Sequence, residues 1–132
     1  MKRINIKCPY CGSRALLRPA SVVHEHTVPG EEVYVCALFP VCNAYVSAHR
    51  DSHLPMGTLA DRPLRQKRRQ AHIALSQLWE RGLMTRKEAY RWLRVQLGLP
   101  ESEAHIGRFS EFRCEQVIDL CSRFAGAGRR AA

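Results

Sequence analysis

Hydrophobic and polar positions follow two different patterns along the 132-residue chain. In the first ~50 residues, short β-branched or aromatic runs alternate with turn residues, a pattern typical of strands. From Pro63 onward, apolar residues recur at helical spacing instead. The pattern predicts a small α+β protein, with an N-terminal hairpin that turns at Pro29-Gly30 and a C-terminal region of three helices. The predicted extended segments are Ala15–Arg18, Ser21–His26, Val33–Val35 and Ala44–Ser47.

Capping signals locate the three helices. Asp61 is a candidate N-cap for the first helix, and Gly82 suits the position just after its end. Thr85 and Glu88 have the spacing of a capping box that opens the second helix, and Ser110 is a candidate cap for the third. The core-facing positions of the three helices are Leu64, Ala71, Leu75, Leu78 and Trp79, then Tyr90, Leu93 and Leu97, then Cys114, Val117, Ile118, Cys121 and Phe124.

Four of the six cysteines lie at the ends of the predicted hairpin. The tight Cys8-Pro-Tyr-Cys11 turn brings two thiols together, and a wider loop supplies Cys36 and Cys42. Because the N-terminus has no signal-peptide pattern, we expect a reducing compartment, where clustered cysteines are typically metal ligands. Four thiolates form the closed tetrahedral shell of structural zinc, which leaves no position for a catalytic water. The sequence therefore predicts one structural zinc ion.

Other metal arrangements remain open from the sequence. An iron–sulfur cluster could replace zinc, and buried free thiols are the alternative without a metal. Cys114 and Cys121 could hold a second metal with His105, although two buried thiols on an apolar helix face are expected. A histidine could also replace one cysteine, although each candidate is expected to be a surface or strand residue; the candidates are His24, His26, His49 and His53.

These predictions divide the chain into four segments. Residues 1–50 are predicted to form the zinc ribbon, 51–61 a linker, 62–125 the helical region and 126–132 a disordered tail. No apolar run approaches the ~18 residues that cross a bilayer, so we expect a cytoplasmic protein with no membrane partner.

The charge distribution favours an acidic partner. Lys and Arg number 21 against 12 acidic residues, which gives a net charge of +9 and makes nucleic acid the first candidate. On the first helix, Arg62, Arg65 and Arg69 share a face opposite the apolar stripe, which suits a row of phosphates. The alternative is a solvated face whose arginine stems cover apolar surface. The basic positions in question are Arg14 and Arg18 beside the ribbon, and Arg62, Arg65, Lys67, Arg68 and Arg69 on the helix.

Two sequence segments resemble a known zinc ribbon. Cys8-Pro-Tyr-Cys11-Gly-Ser13 and Val35-Cys36-Ala-Leu-Phe-Pro-Val-Cys42 resemble the four-cysteine ribbon at the C-terminus of bacterial type IA topoisomerases. Members of that family bind single-stranded DNA, which implies that Phe39 and Tyr10 stack on bases. Because the ribbon here leads the chain and does not trail a topoisomerase, the resemblance does not imply the parent catalytic activity.

A second resemblance covers roughly residues 8–120. Over this range the chain resembles a bacterial and phage family described as a zinc-finger-containing domain. This resemblance supports the architecture and implies no particular activity. The residues that carry it, besides the cysteines, include Ala44-Tyr-Val46, Pro55-Met-Gly-Thr-Leu-Ala60, Leu78-Trp79, Ala89-Tyr-Arg-Trp92 and His105-Ile-Gly107.

The leading interpretation is a non-enzymatic zinc-ribbon protein that binds nucleic acid, with single-stranded DNA favoured. One rival is a phage-type adaptor or inhibitor that binds another protein through the ribbon and helices. Another is a helix-turn-helix reader of duplex DNA. No hydrolase, P-loop, metalloprotease or dinucleotide motif occurs, so we expect no enzymatic activity and no small-molecule substrate. The predicted nucleic-acid contacts are Tyr10, Phe39, Arg14, Arg18, Arg62, Arg65, Lys67 and Arg69.

Overall fold

The chain folds as two units, Met1–Arg62 and Pro63–Ala132. The computed structural model describes residues 4–130. The first unit contains an antiparallel sheet and the cysteine cluster, and three α-helices follow it along the chain. The predicted α+β fold class is therefore confirmed.

The sheet of the first unit has three strands in the spatial order β1-β2-β3, and both pairs are antiparallel. The strands are β1 (Ala15–Pro19), β2 (Glu32–Cys36) and β3 (Tyr45–Ser47). Successive side chains of β2 point to opposite faces, so Val33 and Val35 pack with Ala20, while Tyr34 and Cys36 pack on the other face. The central strand is consequently buried on both sides.

The prediction that Ser21–His26 is extended is wrong. Residues Ala20–Val22 form a short 3-10 turn, in which the amides of Val23 and His24 both donate to the carbonyl of Ala20, at 3.0 and 2.9 Å. Val22 is exposed. Because β propensity acts mainly through packing against neighbouring strands, β-branched residues in an exposed loop have little to hold them extended.

The segment predicted as a linker, residues 51–61, lies against the sheet in the first unit. Ala60 and Tyr45 exchange two backbone hydrogen bonds of 3.1 Å, and the Met56 amide donates to the Ser47 carbonyl at 2.8 Å. Leu59 and Ala60 are both buried. This segment therefore supplies part of the core beneath the strands.

The helices bury the apolar positions that their spacing predicts. Leu75, Leu78, Leu93 and Val117 are almost fully buried in one cluster, and Trp79 packs against it. None of the helices within residues 4–130 combines the length and apolar character needed to cross a membrane. The helices are α1 (Arg62–Glu80), α2 (Arg86–Leu97) and α3 (Glu111–Arg130).

The predicted N-terminal caps of α2 and α3 are present. The Glu88 amide donates to Thr85 Oγ1 at 3.1 Å, and the Thr85 amide donates to Glu88 Oε1 at 3.3 Å, which completes the capping box. Ser110 Oγ accepts from the Arg113 amide at 3.2 Å at the start of α3. That helix runs to Arg130, into the segment predicted as a tail, and residues 131–132 lie outside the described part of the chain.

Candidate metal centre and basic surfaces

A tight turn carries the first two cysteines. The Cys8 amide donates to the Ser13 carbonyl at 2.7 Å, and the Gly12 amide donates to the Cys8 carbonyl at 2.9 Å. Gly12 has φ +75°, a left-handed conformation that glycine adopts without steric cost. The turn folds Cys11 back toward Cys8, so that both thiols approach the same point.

The second pair of cysteines follows β2. The Phe39 amide donates to the Cys36 carbonyl at 2.9 Å, and the Cys42 amide donates to the Leu38 carbonyl at 3.1 Å. The Cys36 amide donates a hydrogen bond to the Ala44 carbonyl at 3.0 Å. These turns return the chain so that Cys42 faces the end of β2.

The four thiols form a single cluster. The Sγ atoms of Cys8, Cys11, Cys36 and Cys42 all lie within 4.8 Å of one another, with 3.6 Å between Cys8 and Cys42 and 3.4 Å between Cys11 and Cys36. Tetrahedral zinc with Zn–S bonds of about 2.3 Å requires sulfur–sulfur distances of roughly 3.8 Å. The donor set and its spacing therefore fit one structural zinc ion with a closed shell.

Local contacts give the thiols different acidities. Hydrogen bonds from Ser13 lower the pKa of Cys11 to about 6, whereas burial raises the pKa of Cys36 to about 12. The Ala44 amide lowers the pKa of Cys42, but burial and the Cys8 thiol outweigh it and the net pKa is raised. The Cys11 thiol is thus readily ionised, whereas zinc must displace protons from Cys36 and Cys42.

The histidines that could have replaced a cysteine lie outside this cluster. His53 Nδ1 is 2.6 Å from Glu32 Oε1, and the His24 ring packs edge-on against Tyr45 at 5.6 Å. His26 and His49 are exposed. Among residues 4–130, the four cysteines are the only group of three or more His, Cys, Asp or Glu side chains that lie close enough together to share a metal ion.

Cys114 and Cys121 are buried in the helical core. Burial raises the pKa of both thiols, that of Cys121 to about 11. His105, the third member of the possible second metal site, is exposed, and the described residues do not bring it into a ligand group with these thiols. Both cysteines pack as small apolar side chains.

The two predicted stacking rings differ in exposure. Tyr10 lies between two metal ligands and is 46% exposed, and its hydroxyl oxygen accepts from the Asp61 amide at 3.1 Å. Phe39 is half-buried and packs edge-on against Tyr45 at a centroid distance of 6.5 Å. The exposed ring on this part of the ribbon is therefore Tyr10, while Phe39 contributes to the packing of the sheet.

The predicted cationic contacts also differ from one another. Lys67 Nζ lies 3.3 Å from Glu115 Oε1, and Arg65 is half-buried. The remaining four are exposed and take part in none of the ion pairs between described residues; they are Arg14, Arg18, Arg62 and Arg69.

Arg68 has a role that the sequence analysis missed. It belongs to the basic run at the start of α1, yet its side chain is buried and its Nε donates to the Phe109 carbonyl at 3.0 Å. It follows Leu64 by four residues and precedes Ala71 by three, so it falls on the apolar stripe of α1. That position is the signal that identifies it as structural.

Comparison with known proteins gives one finding. A family model described as a zinc-finger-containing domain matches residues 4–124. Neither the curated proteins nor the solved structures provide a match.

Proposed function

The chain belongs to the zinc-finger-containing domain family, and from this premise we propose that it is a non-enzymatic zinc-ribbon protein that binds nucleic acid, with single-stranded DNA favoured. The observation that carries the proposal is a set of exposed guanidinium groups on both units without an acidic partner among the described residues. The set comprises Arg14, Arg18, Arg62 and Arg69.

Unpaired exposed arginines favour a polyanionic partner for a direct reason. Each one can neutralise a phosphate and release a condensed counterion, and no internal ion pair has to break first. Helix α1 adds to this effect, because its first turn has no acidic residue. Lys67 is less suited to this role, since its ammonium group already has Glu115 beside it.

The exposed Tyr10 ring favours single strands over duplex. An unpaired base can stack on an aromatic face, whereas a paired base is already stacked within its helix. Tyr10 lies between Cys8 and Cys11, so the zinc ion would fix the position of the ring as well as the fold. Phe39 is a weaker candidate because its ring is half-buried and packs edge-on against Tyr45.

The test is a titration of the zinc-loaded protein with single-stranded DNA, duplex DNA and single-stranded RNA at low and high salt. We expect the tightest binding to single-stranded DNA, with an affinity that falls steeply as salt rises. A preference for duplex would instead support the helix-turn-helix alternative. Weak binding of all three nucleic acids at low salt contradicts the proposal.

Substitution of the exposed ring sharpens this test. Tyr10→Leu should weaken single-strand binding by about 1–3 kcal/mol, because base–aromatic stacking is lost. Tyr10→Phe is the matched control, since it removes the hydroxyl and keeps the ring. If the two variants lose the same affinity, the hydroxyl contact with Asp61 matters and stacking does not.

A second candidate function is binding to another protein through the ribbon. It is favoured by Val41, which is 93% exposed, and by Leu38, which is exposed in the same loop between Cys36 and Cys42. Neighbouring exposed apolar side chains commonly mark protein contact sites. Under this alternative, all three nucleic acids bind only weakly in the titration described above, and the double substitution Leu38→Ser and Val41→Ser leaves zinc content unchanged.

A further inference from the structure

We propose that the cleft between α2 and residues 101–105 is a binding site for a phosphorylated ligand. The cleft has a volume of about 810 Å³ and lies within the second unit. Its α2 wall consists of side chains about one helical turn apart, which therefore project from the same side of the helix. They are Arg86, Lys87, Tyr90, Arg91 and Arg94, and His105 lines the cleft with them.

The charge of the cleft is unbalanced. Four cations line it together with a single acid, Glu101, whose Oε2 lies 3.7 Å from Arg94 Nη1. Lys87 and Arg91 are four residues apart, and Arg91 and Arg94 are three apart, so neighbouring like charges repel one another. Neither Lys87 nor Arg91 is in an ion pair with another described residue. A bound anion would offset this repulsion.

One of the cations is already held in position. The guanidinium carbon of Arg86 lies 5.7 Å from the Trp79 ring centroid and 5.8 Å from that of Tyr90. The two rings stack on each other at 5.8 Å, so the arginine is held by both aromatic side chains. A side chain fixed before binding loses less conformational entropy when a ligand arrives.

The composition of the cleft indicates the class of ligand. Guanidinium groups present paired N–H donors that match the oxygen atoms of a phosphate, and three arginines line this cleft. The volume exceeds what a single phosphate group needs, and Tyr90 and Ala104 contribute apolar surface for an organic part. A phosphate ester such as a nucleotide combines both requirements.

The ion pair between Glu101 and Arg94 is weak enough for a ligand to replace it. The Glu101 side chain is 91% exposed, so its contact with Arg94 is a weak surface ion pair. A ligand with two negative charges would compete successfully for that arginine. None of these cleft residues belongs to the proposed strand-binding set, so the inference does not rest on the proposed function.

The first test is calorimetric titration of the zinc-loaded, full-length protein with ADP and with adenosine. We expect ADP to bind and adenosine to show no measurable binding, because the arginines recognise the phosphates. Absence of ADP binding at millimolar concentration overturns the proposal. Equal affinity for ADP and adenosine overturns it as well.

Substitutions then test whether ADP binds in this cleft. Arg91→Gln should weaken ADP binding about tenfold, in line with the loss of a charge-assisted hydrogen bond. Glu101→Gln should tighten it, because the competing carboxylate is gone. Arg123→Gln is the matched control: it removes the same charge from an exposed position on α3 and should leave ADP affinity within about twofold. Equal losses in Arg91→Gln and Arg123→Gln would show non-specific attraction and overturn the proposal.

A competition experiment distinguishes the two sources of such a ligand. Thymidine oligonucleotides with and without a 5′-phosphate are added to the ADP complex. Displacement by the phosphorylated strand alone assigns the site to a nucleic-acid end, and displacement by neither strand assigns it to a free nucleotide. Since Tyr10→Leu should leave ADP affinity unchanged, failure of the strand proposal and failure of the cleft proposal are separable.

Discussion

The two units differ in what stabilises them. The clusters of the first unit consist mainly of small or partly buried side chains, and two of the most deeply buried members are the ligand thiols Cys8 and Cys36, each 1% exposed. The second unit buries Leu75, Leu78 and Leu93 together in one cluster. A unit of this size with few large apolar residues buries little surface, so the metal must supply what packing does not. Metal loss and core truncation should therefore each damage a different unit.

The largest effect should follow from loss of a zinc ligand. We expect Cys36→Ser to unfold the first unit, because structural zinc contributes on the order of 10 kcal/mol in small zinc domains. Zinc content and circular dichroism check this, with loss of the strand signal and retention of the helical signal. Cys114→Ser is the control, since it makes the same chemical change in the helical core. An unchanged spectrum with full zinc content in Cys36→Ser would contradict the claim that zinc stabilises the first unit.

The converse experiment truncates the helical core. Leu75→Ala should cost about 3 kcal/mol of the free energy of unfolding of the second unit, because it leaves a cavity at a fully buried position. Chemical denaturation followed by helical circular dichroism measures the loss. Zinc content should not change. Ile73→Ala, at an exposed position of the same helix, should cost less than about 0.5 kcal/mol. A loss of zinc in Leu75→Ala would contradict the expectation that zinc binding does not depend on the helical core.

The pH dependence of zinc binding should follow from the thiol pKa values. Cys36 and Cys42, whose pKa values are raised, hold protons that zinc must displace, whereas Cys11, with a pKa of about 6, is already ionised at neutral pH. Raising the pH removes this competition, so zinc affinity should rise steeply with pH, by at least about two log units per pH unit near pH 7. Competition with a chelator of known pH dependence measures this slope. A flat profile is incompatible with protonated Cys36 and Cys42.

The smallest effect should come from the capping box of α2. Thr85→Ala removes the acceptor for the Glu88 amide and should cost about 1 kcal/mol. Thermal unfolding monitored at a helical wavelength detects it, and Thr85→Ser, which keeps the hydroxyl, serves as the control. If both substitutions behave alike, the cap does not contribute. Zinc content should stay constant in either variant, as expected for a change in the second unit.

Features with a local signal could be predicted from the sequence. The Thr85 and Glu88 capping box depends on residues three positions apart, and the first pair of cysteines lies on one turn. The apolar stripes of the helices depend on periodicity alone. For these features the residues that make the contact are also neighbours in sequence or on one helix face.

Features that depend on distant contacts could not be predicted. The position of Arg68 on the apolar stripe of α1 indicates burial, but its partner is a carbonyl 41 residues away that no local pattern identifies. Lys67 likewise pairs with a carboxylate on another helix. Phe39 lies in the loop after β2, and its ring is partly covered by Tyr45 of β3. The cleft beside α2 needs residues 101–105 to form its other wall. Charge and aromatic content identify candidate residues, but only packing decides which side chains remain accessible.

The most direct measurement is the metal-to-protein ratio of the purified, folded chain by elemental analysis. We expect one zinc per chain in the unmodified protein, and none once Cys36 is replaced by Ser. A folded protein that contains neither zinc nor any other metal, or that contains iron in place of zinc, would overturn the assignment of a structural zinc site.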